Sequence, residues 1–247
     1  RGLEGLGCEG AELARIKNLL KIPNGIILNT GPTGSGKTTT LYAMLERLNL
    51  AEFNAVTVED PVEYDIPGVT QVQVNERSGL SFAVALRSIL RQDPDIVMLG
   101  EIRDGETALL AVRAALTGHV VLSTLHTNDA ASAALRLIDM GAPAFLVASA
   151  LRGVMAQRLV RKLCPHCRQP YALPERECER LELPRGSVFY RPVGCPRCDG
   201  RGYAGRTAIF EVLAVDEEIS ALIAREESVS ALRKAAVRKG MRTLERG

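Results

Sequence analysis

Tryptophan is absent from this 247-residue chain, and aromatic residues make up only 4% of it. Among Arg197, Arg201 and Arg206, beside its later cysteines, Tyr203 alone offers a ring on which a base could stack. No lysine or arginine run exceeds two residues, and the formal net charge is only +2. Nucleic-acid binders usually pair a basic footprint with stacking aromatics, so a nucleic-acid partner is disfavoured. Long apolar runs are missing too. The longest uncharged, largely apolar stretch covers residues 141–151, well short of the roughly 20 residues of a membrane-spanning helix. No secretory signal is visible, so the six cysteines argue for metal binding over a disulfide framework. The chain begins at Arg1 without methionine and stops mid-pattern at Gly247, which reads as an excised piece of a longer protein. With 46% hydrophobic and 24% charged residues it has the composition of a globular protein long enough to bury a real core.

What is present begins with GPTGSGKT, residues 31–38, between the apolar run 25–28 and a helix-compatible stretch. A glycine-rich turn from strand to helix aims several backbone N–H groups at one anion, and the helix start adds partial positive charge. In this pattern Lys37 reaches the β- and γ-phosphates, and the Thr38 hydroxyl is placed to ligate Mg²⁺. Gly31, Pro32, Thr33, Gly34, Ser35, Gly36, Lys37, Thr38 and Thr39 are therefore the candidate ATP-binding residues.

Short β-branched runs alternate with helical stretches from Asn24 to about Ala150. Strands are expected at 25–30, 54–60, 68–74, 95–101 and 119–125, with helices at 37–49, 81–92, 105–116 and 129–139. In the second helix Phe82, Leu86, Ile89 and Leu90 share one face and Arg87 and Arg91 the other. Such alternation predicts a mainly parallel sheet covered on both faces, with ligands at the carboxyl ends of its strands. A long helix is expected from Pro143 to Lys162. Residues 164–205 are rich in Cys, Pro, Gly and Arg, and 206–247 return to order as the strand TAIFEVL and two helices capped by Asp216 and Ser228. Four segments follow: 1–23 as a linker or first helix, 24–163 as an α/β core, 164–205 as a cysteine-rich subdomain, and 206–247 as a strand and helical segment.

Hydrolysis needs a polarised water as well as a phosphate loop. DIVMLGE delivers Glu101 to the carboxyl edge, where it could activate water; the alternative is an ion pair with Arg103. Gly100 stands where an aspartate usually partners a phosphate loop, leaving Mg²⁺ mainly to Thr38, phosphate oxygens and waters. Glu59, Asp60 and Glu63 could orient those waters or form a solvated acidic loop. His119 reads as structural. His126, among Ser123, Thr124, Thr127 and Asn128, is a candidate contact to a γ-phosphate.

Cys164-x-x-Cys167 and Cys195-x-x-Cys198 supply four thiolates, a set suited to tetrahedral structural Zn²⁺. A redox pair and an iron–sulfur cluster are the rival readings. His166 is not needed as a ligand, and Cys8 and Cys178 are left over.

The phosphate loop, VTVEDPVEY, PDIVMLGEIRD and TGHVVLSTLHTNDA occur in one order, and with them the chain resembles the ATPases of type II secretion and type IV pilus assembly. In that family these stretches are the Walker A, Asp box, Walker B and His box. The stretch ALRLIDMGAPAFLVASALRGVMAQRLVRKLC is most similar to the mannose-sensitive-haemagglutinin pilus branch. The resemblance implies a RecA-like P-loop core followed by a small zinc subdomain and a C-terminal helical segment. It implies a homo-hexameric motor in the full-length protein, cytoplasmic and peripheral to the inner membrane, docked on a membrane platform protein. Glu101 would then be the catalytic glutamate, Glu63 the acidic helper and His126 the γ-phosphate contact. Assembly members carry the tetracysteine site that retraction members typically lack. Family members also carry an upstream domain whose arginines reach the nucleotide, so this segment alone is expected to bind ATP but hydrolyse it poorly. A nucleotide-gated scaffold with incidental turnover and a nucleic-acid-translocating motor are the competing functions.

Overall fold

The computed structural model describes residues 2–48, 50–181 and 183–246. The expected segment ends at Arg1, Asn49 and Gly247 lie outside the described residues. The chain forms two compact units, residues 2–158 with 209–245 and residues Leu159–Ala208.

The first unit is built on a sheet. Strands β1 (Gly25–Thr30), β2 (Ala55–Glu59), β3 (Val69–Gln73), β4 (Ile96–Leu99) and β5 (Val120–Leu125) are joined by β6 (Leu151–Leu163) and β9 (Tyr203–Ala214) in the order β3-β2-β4-β5-β1-β6-β9. The pairs β1–β5, β1–β6, β2–β3, β2–β4 and β4–β5 are all parallel. Helices cover the sheet, several of them the crossovers that parallel strands usually use. They are α1 (Gly10–Leu19), α2 (Lys37–Leu45), α3 (Phe82–Ile89), α4 (Gly105–Leu116), α5 (Ala130–Asp139) and α6 (Ala144–Ala150), with α8 (Glu217–Ala224) and α9 (Val229–Arg238) after β9. Every residue of β1, β2 and β4 is buried, as central strands of a doubly covered sheet must be. In α3 the expected apolar face holds: Phe82, Leu86 and Ile89 are buried in the core. Asp216 and Ser228 cap α8 and α9 through the Ile219 and Ala231 N–H groups.

The expected helix 143–162 is overturned. α6 ends at Ala150 and the chain passes directly into β6, whose Ile26-to-Leu151 and Thr30-to-Ala156 pairings place it beside β1. Residues 153–157 are buried, so this strand shows no alternation and imitates the apolar run of a buried helix. Gly153 explains the local choice. A Cβ there would sit 2.4 Å from Leu19 Cδ1, so a bare backbone is what lets α1 lie against the strand.

The second unit contains β7 (Gln169–Ala172), paired antiparallel with β8 (Val188–Arg191), and the short helix α7 (Glu175–Arg180). It encloses the cysteine-rich segment. The chain enters it along β6 and leaves along β9.

Candidate functional site

Register places the site. Val58 pairs with Leu99 and Leu99 with Ser123, while Leu28 also pairs with Ser123, so four strands run in register and end within two residues of one row. The chain beyond that row supplies the phosphate-type loop after β1, the acidic loop after β2, Glu101 after β4 and His126 after β5.

In the first loop Gly31 adopts φ 155°, and a Cβ there would stand 2.5 Å from the Gln157 carbonyl oxygen. Gly36, at φ 87°, starts α2. Lys37 Nζ donates to the carbonyls of Gly31 at 2.9 Å and Pro32 at 3.2 Å. Burial lowers the lysine's pKa and Arg158 adds to this, against the opposing pull of Glu101. The Ser35 hydroxyl is buried without a hydrogen-bond partner, which leaves a donor available to an anion. Thr33, Gly34, Gly36, Lys37, Thr38 and Thr39 line a cleft of about 770 Å³. Glu59, Asp60, Glu63, Glu101 and His126 line it too, whereas Gly31, Pro32 and Ser35 belong to the loop but not to the lining. The Thr38 hydroxyl and these carboxyls are hard oxygen donors, a set that fits Mg²⁺.

Glu101 is 18% exposed at its side chain. Its carboxyl pairs with Arg103 and lies 3.2 Å from His126 Nε2. Burial alone would raise its pKa, but the guanidinium and the imidazole outweigh that and the net shift is downward. Arg103 also reaches Asp60 at 3.4 Å, so both readings of Glu101 meet in one geometry: it stands in the cleft and in an ion pair. Gly100 permits close packing over β2, with a Cβ position 3.4 Å from the Val58 carbonyl oxygen. His119 is bonded locally, its Nδ1 lying 2.8 Å from the Ala114 carbonyl.

Sequence reasoning missed three residues. Gln157 is 1% exposed and accepts from Asn29 and from Thr40, each at 2.8 Å, so it joins β6 to β1 and α2 behind the loop. Tyr42 is fully buried in α2 and contacts the acidic loop. Arg158 donates to the Asn128 carbonyl at 2.6 Å. The available signal was a polar side chain inside an apolar run, which periodicity treats as noise.

In the second unit Cys164, Cys167, Cys195 and Cys198 bring their sulfurs within 4.8 Å of one another. Three of the Sγ–Sγ distances are 4.0, 3.8 and 3.8 Å. A tetrahedron with bonds of about 2.3 Å has edges of about 3.8 Å, so four sulfurs could hold Zn²⁺. A disulfide needs about 2.05 Å and is excluded in this geometry. Burial would raise the Cys198 thiol's pKa, but N–H groups of Cys195 and Gly202, 3.3 and 3.2 Å from its Sγ, draw it below the ordinary thiol value. Gly202 has φ 76° and no room for a Cβ, which would lie 2.6 Å from Pro192 Cβ. His166 stays outside the cluster, 3.2 Å from the Arg197 guanidinium.

Residues 2–247 match a protein family described as "Type II/IV secretion system protein". The chain is 56% identical over 242 residues to the type II secretion system protein HxcR of Pseudomonas aeruginosa, covering 98% of this chain and 48% of that one. It is 50% identical over 246 residues to the type IV pilus assembly ATPase PilB of Thermus thermophilus, covering 98% and 28%. The chain thus spans about half the length, or less, of these relatives. The crystal structure of the pilus retraction motor PilT with bound ADP matches with a TM-score of 0.68 at 29% identity, covering 100% of this chain and 65% of that one.

Proposed function

Because the chain belongs to the type II/IV secretion system protein family, we propose that it is the motor part of an ATPase driving assembly of a type IV pilus or a type II secretion pseudopilus. One observation carries the reading: a phosphate-type loop, a carboxyl and an imidazole converge on one cleft at the carboxyl edge of a parallel sheet. The loop 31–39 holds the ATP phosphates through its backbone N–H groups. Lys37 exchanges the carbonyls of Gly31 and Pro32 for β- and γ-phosphate oxygens. Thr38, with Glu63 as acidic helper, would hold Mg²⁺, which would supply neutralisation of the phosphate charge. Glu101 accepts the proton of a water whose oxygen attacks the γ-phosphorus, and the bond to the ADP oxygen breaks. His126 hydrogen-bonds the γ-phosphate.

Zn²⁺ on the four cysteines is structural in this reading. The full-length protein works as a homo-hexamer at the cytoplasmic face of the inner membrane, peripheral to it and docked on a platform protein. Among the described residues no helix is long and apolar enough to cross a membrane. Nucleic acid is disfavoured as a partner in this reading: two rings near the knuckles, Tyr203 and Tyr190, carry the guanidinium groups of Arg161 and Arg168 at 3.9 and 4.5 Å from their centroids.

Steady-state ATP hydrolysis tests the proposal on three proteins: this chain, its Glu101→Gln variant, and the chain joined to the additional region of its longer relatives. The third is expected to turn over much faster than the first. Glu101→Gln should cut turnover by about 10²-fold or more while ATP still binds. If all three bind ATP and none exceeds background hydrolysis, the protein is a nucleotide-gated scaffold and Glu101 is not its base.

A further inference from the structure

The loop after β2 carries Glu63 into the cleft, and a loop holds a carboxyl only as steadily as its own attachments allow. Those attachments converge on one phenol. The Tyr42 hydroxyl donates to Glu59 Oε2 and accepts the Glu63 backbone N–H at 3.3 Å. Its ring meets that of Tyr64 edge-on, with centroids 4.7 Å apart and planes at 84°. Gln71, on β3, completes the clamp: its Nε2 donates to Glu59 Oε1 at 3.1 Å and the Tyr64 carbonyl at 3.2 Å, and its Oε1 accepts the Ile66 N–H at 2.7 Å. Glu59 itself is 1% exposed and also accepts from the Thr57 hydroxyl. Tyr42 stands four residues beyond Thr38 on α2, so both belong to one face of one helix. The helix that begins at the phosphate-type loop therefore also grips the acidic loop.

We infer that Tyr42 is a positioning residue, whose hydroxyl fixes the distance between Thr38 and the acidic loop bearing Glu63, and so the place where the metal and attacking water are held. The inference rests on the ATP-hydrolysing reading above. It concerns the oxygen and not the ring, because the bonds to Glu59, from the Glu63 N–H and from Gln71 Nε2 at 3.5 Å are all made by the oxygen, while ring packing survives without it. Burial, followed by the Glu59 contact, pushes the phenol's pKa up, so the group remains a donor across the working pH range.

The test is Tyr42→Phe in the chain joined to the region its longer relatives carry, with Mg²⁺ titrated at saturating ATP. Expected are a kcat lowered roughly 10- to 100-fold, as for a small misplacement of a reacting group, and an ATP Kd within about twofold of wild type, because the loop contacts are untouched. The Mg²⁺ concentration for half-maximal rate should rise several-fold, a change that loss of stability alone would not produce. Glu63→Gln supplies the second arm. If Tyr42 acts through the acidic loop, the double variant hydrolyses no more slowly than Glu63→Gln alone. Gln71→Leu, which loosens the same loop from the other side, should give a weaker form of the Mg²⁺ shift and serves if Tyr42→Phe fails to fold. Wild-type kcat with unchanged Mg²⁺ dependence in the variants, or multiplicative losses with Glu63→Gln, overturns the inference alone. A wild-type protein that neither binds nor hydrolyses ATP overturns the inference and the parent reading together.

Discussion

The two units of this chain are ordered by different means. In the first, a continuous apolar core reaches from Ile26 to Met241 and buries every residue of three central strands. The cleft is an outgrowth of that core, since each functional loop begins where a buried strand stops. In the second, the buried apolar side chains among the described residues are Leu173, Cys178, Ala208 and two of the clustered cysteines, Cys164 and Cys198. So few side chains cannot offset the conformational entropy of some fifty ordered residues, at roughly 1–2 kcal/mol each for the backbone. In the proposed reading, Zn²⁺ on the four sulfurs, which lie within 4.8 Å of one another, would supply what the core lacks, because a metal bound only by the folded form contributes its binding energy to folding. One unit is held by burial; the other, on the proposed reading, by coordination.

That contrast can be broken at either end. Cys195→Ser should have the largest effect: loss of most of the bound zinc, measured as metal per chain after gel filtration, and rapid proteolysis within 159–208. Full metal occupancy in the variant would remove the coordination half of the comparison. Leu86→Ala should do the converse. Leu86 is fully buried on α3 in the first unit, and its truncation should cost about 2–5 kcal/mol in denaturant unfolding of that unit. Zinc content should stay at the wild-type level. A variant that loses zinc with it would mean the units do not fold separately.

Much of the first unit could be read from the sequence because its signals are local. Expected strands at 25–30, 54–60, 68–74, 95–101 and 119–125 correspond to β1 through β5, each marked by a short β-branched run before a glycine or polar loop. The glycine spacing of 31–36 and the Cys-x-x-Cys pairs are equally local, and the cleft and the sulfur cluster follow from them. β6 was illegible for a tertiary reason. Its identity depends on lying between β1 and β9, and Val154, Met155 and Ala156, buried with no alternation, have the same pattern a buried helix would give. The proline at 143 and the helix-favouring residues after it then point the wrong way. Gly153 was the contrary sign, yet its meaning appears only with Leu19 packed against it. Tyr42 and Gln157 escaped for a related reason: what matters in them is one oxygen atom whose partners lie 17 to 128 residues away in the chain.

The most direct measurement is hydrogen exchange along the zinc-loaded chain, followed before and after a strong zinc chelator. If burial holds one unit and coordination the other, amides within 159–208 lose their protection on chelation. Those of β1, β4 and β5 keep theirs, and ATP binding persists. Protection unchanged in 159–208, or lost from β1 at the same moment, would contradict the proposed division of the chain into a core-built unit and a metal-held one.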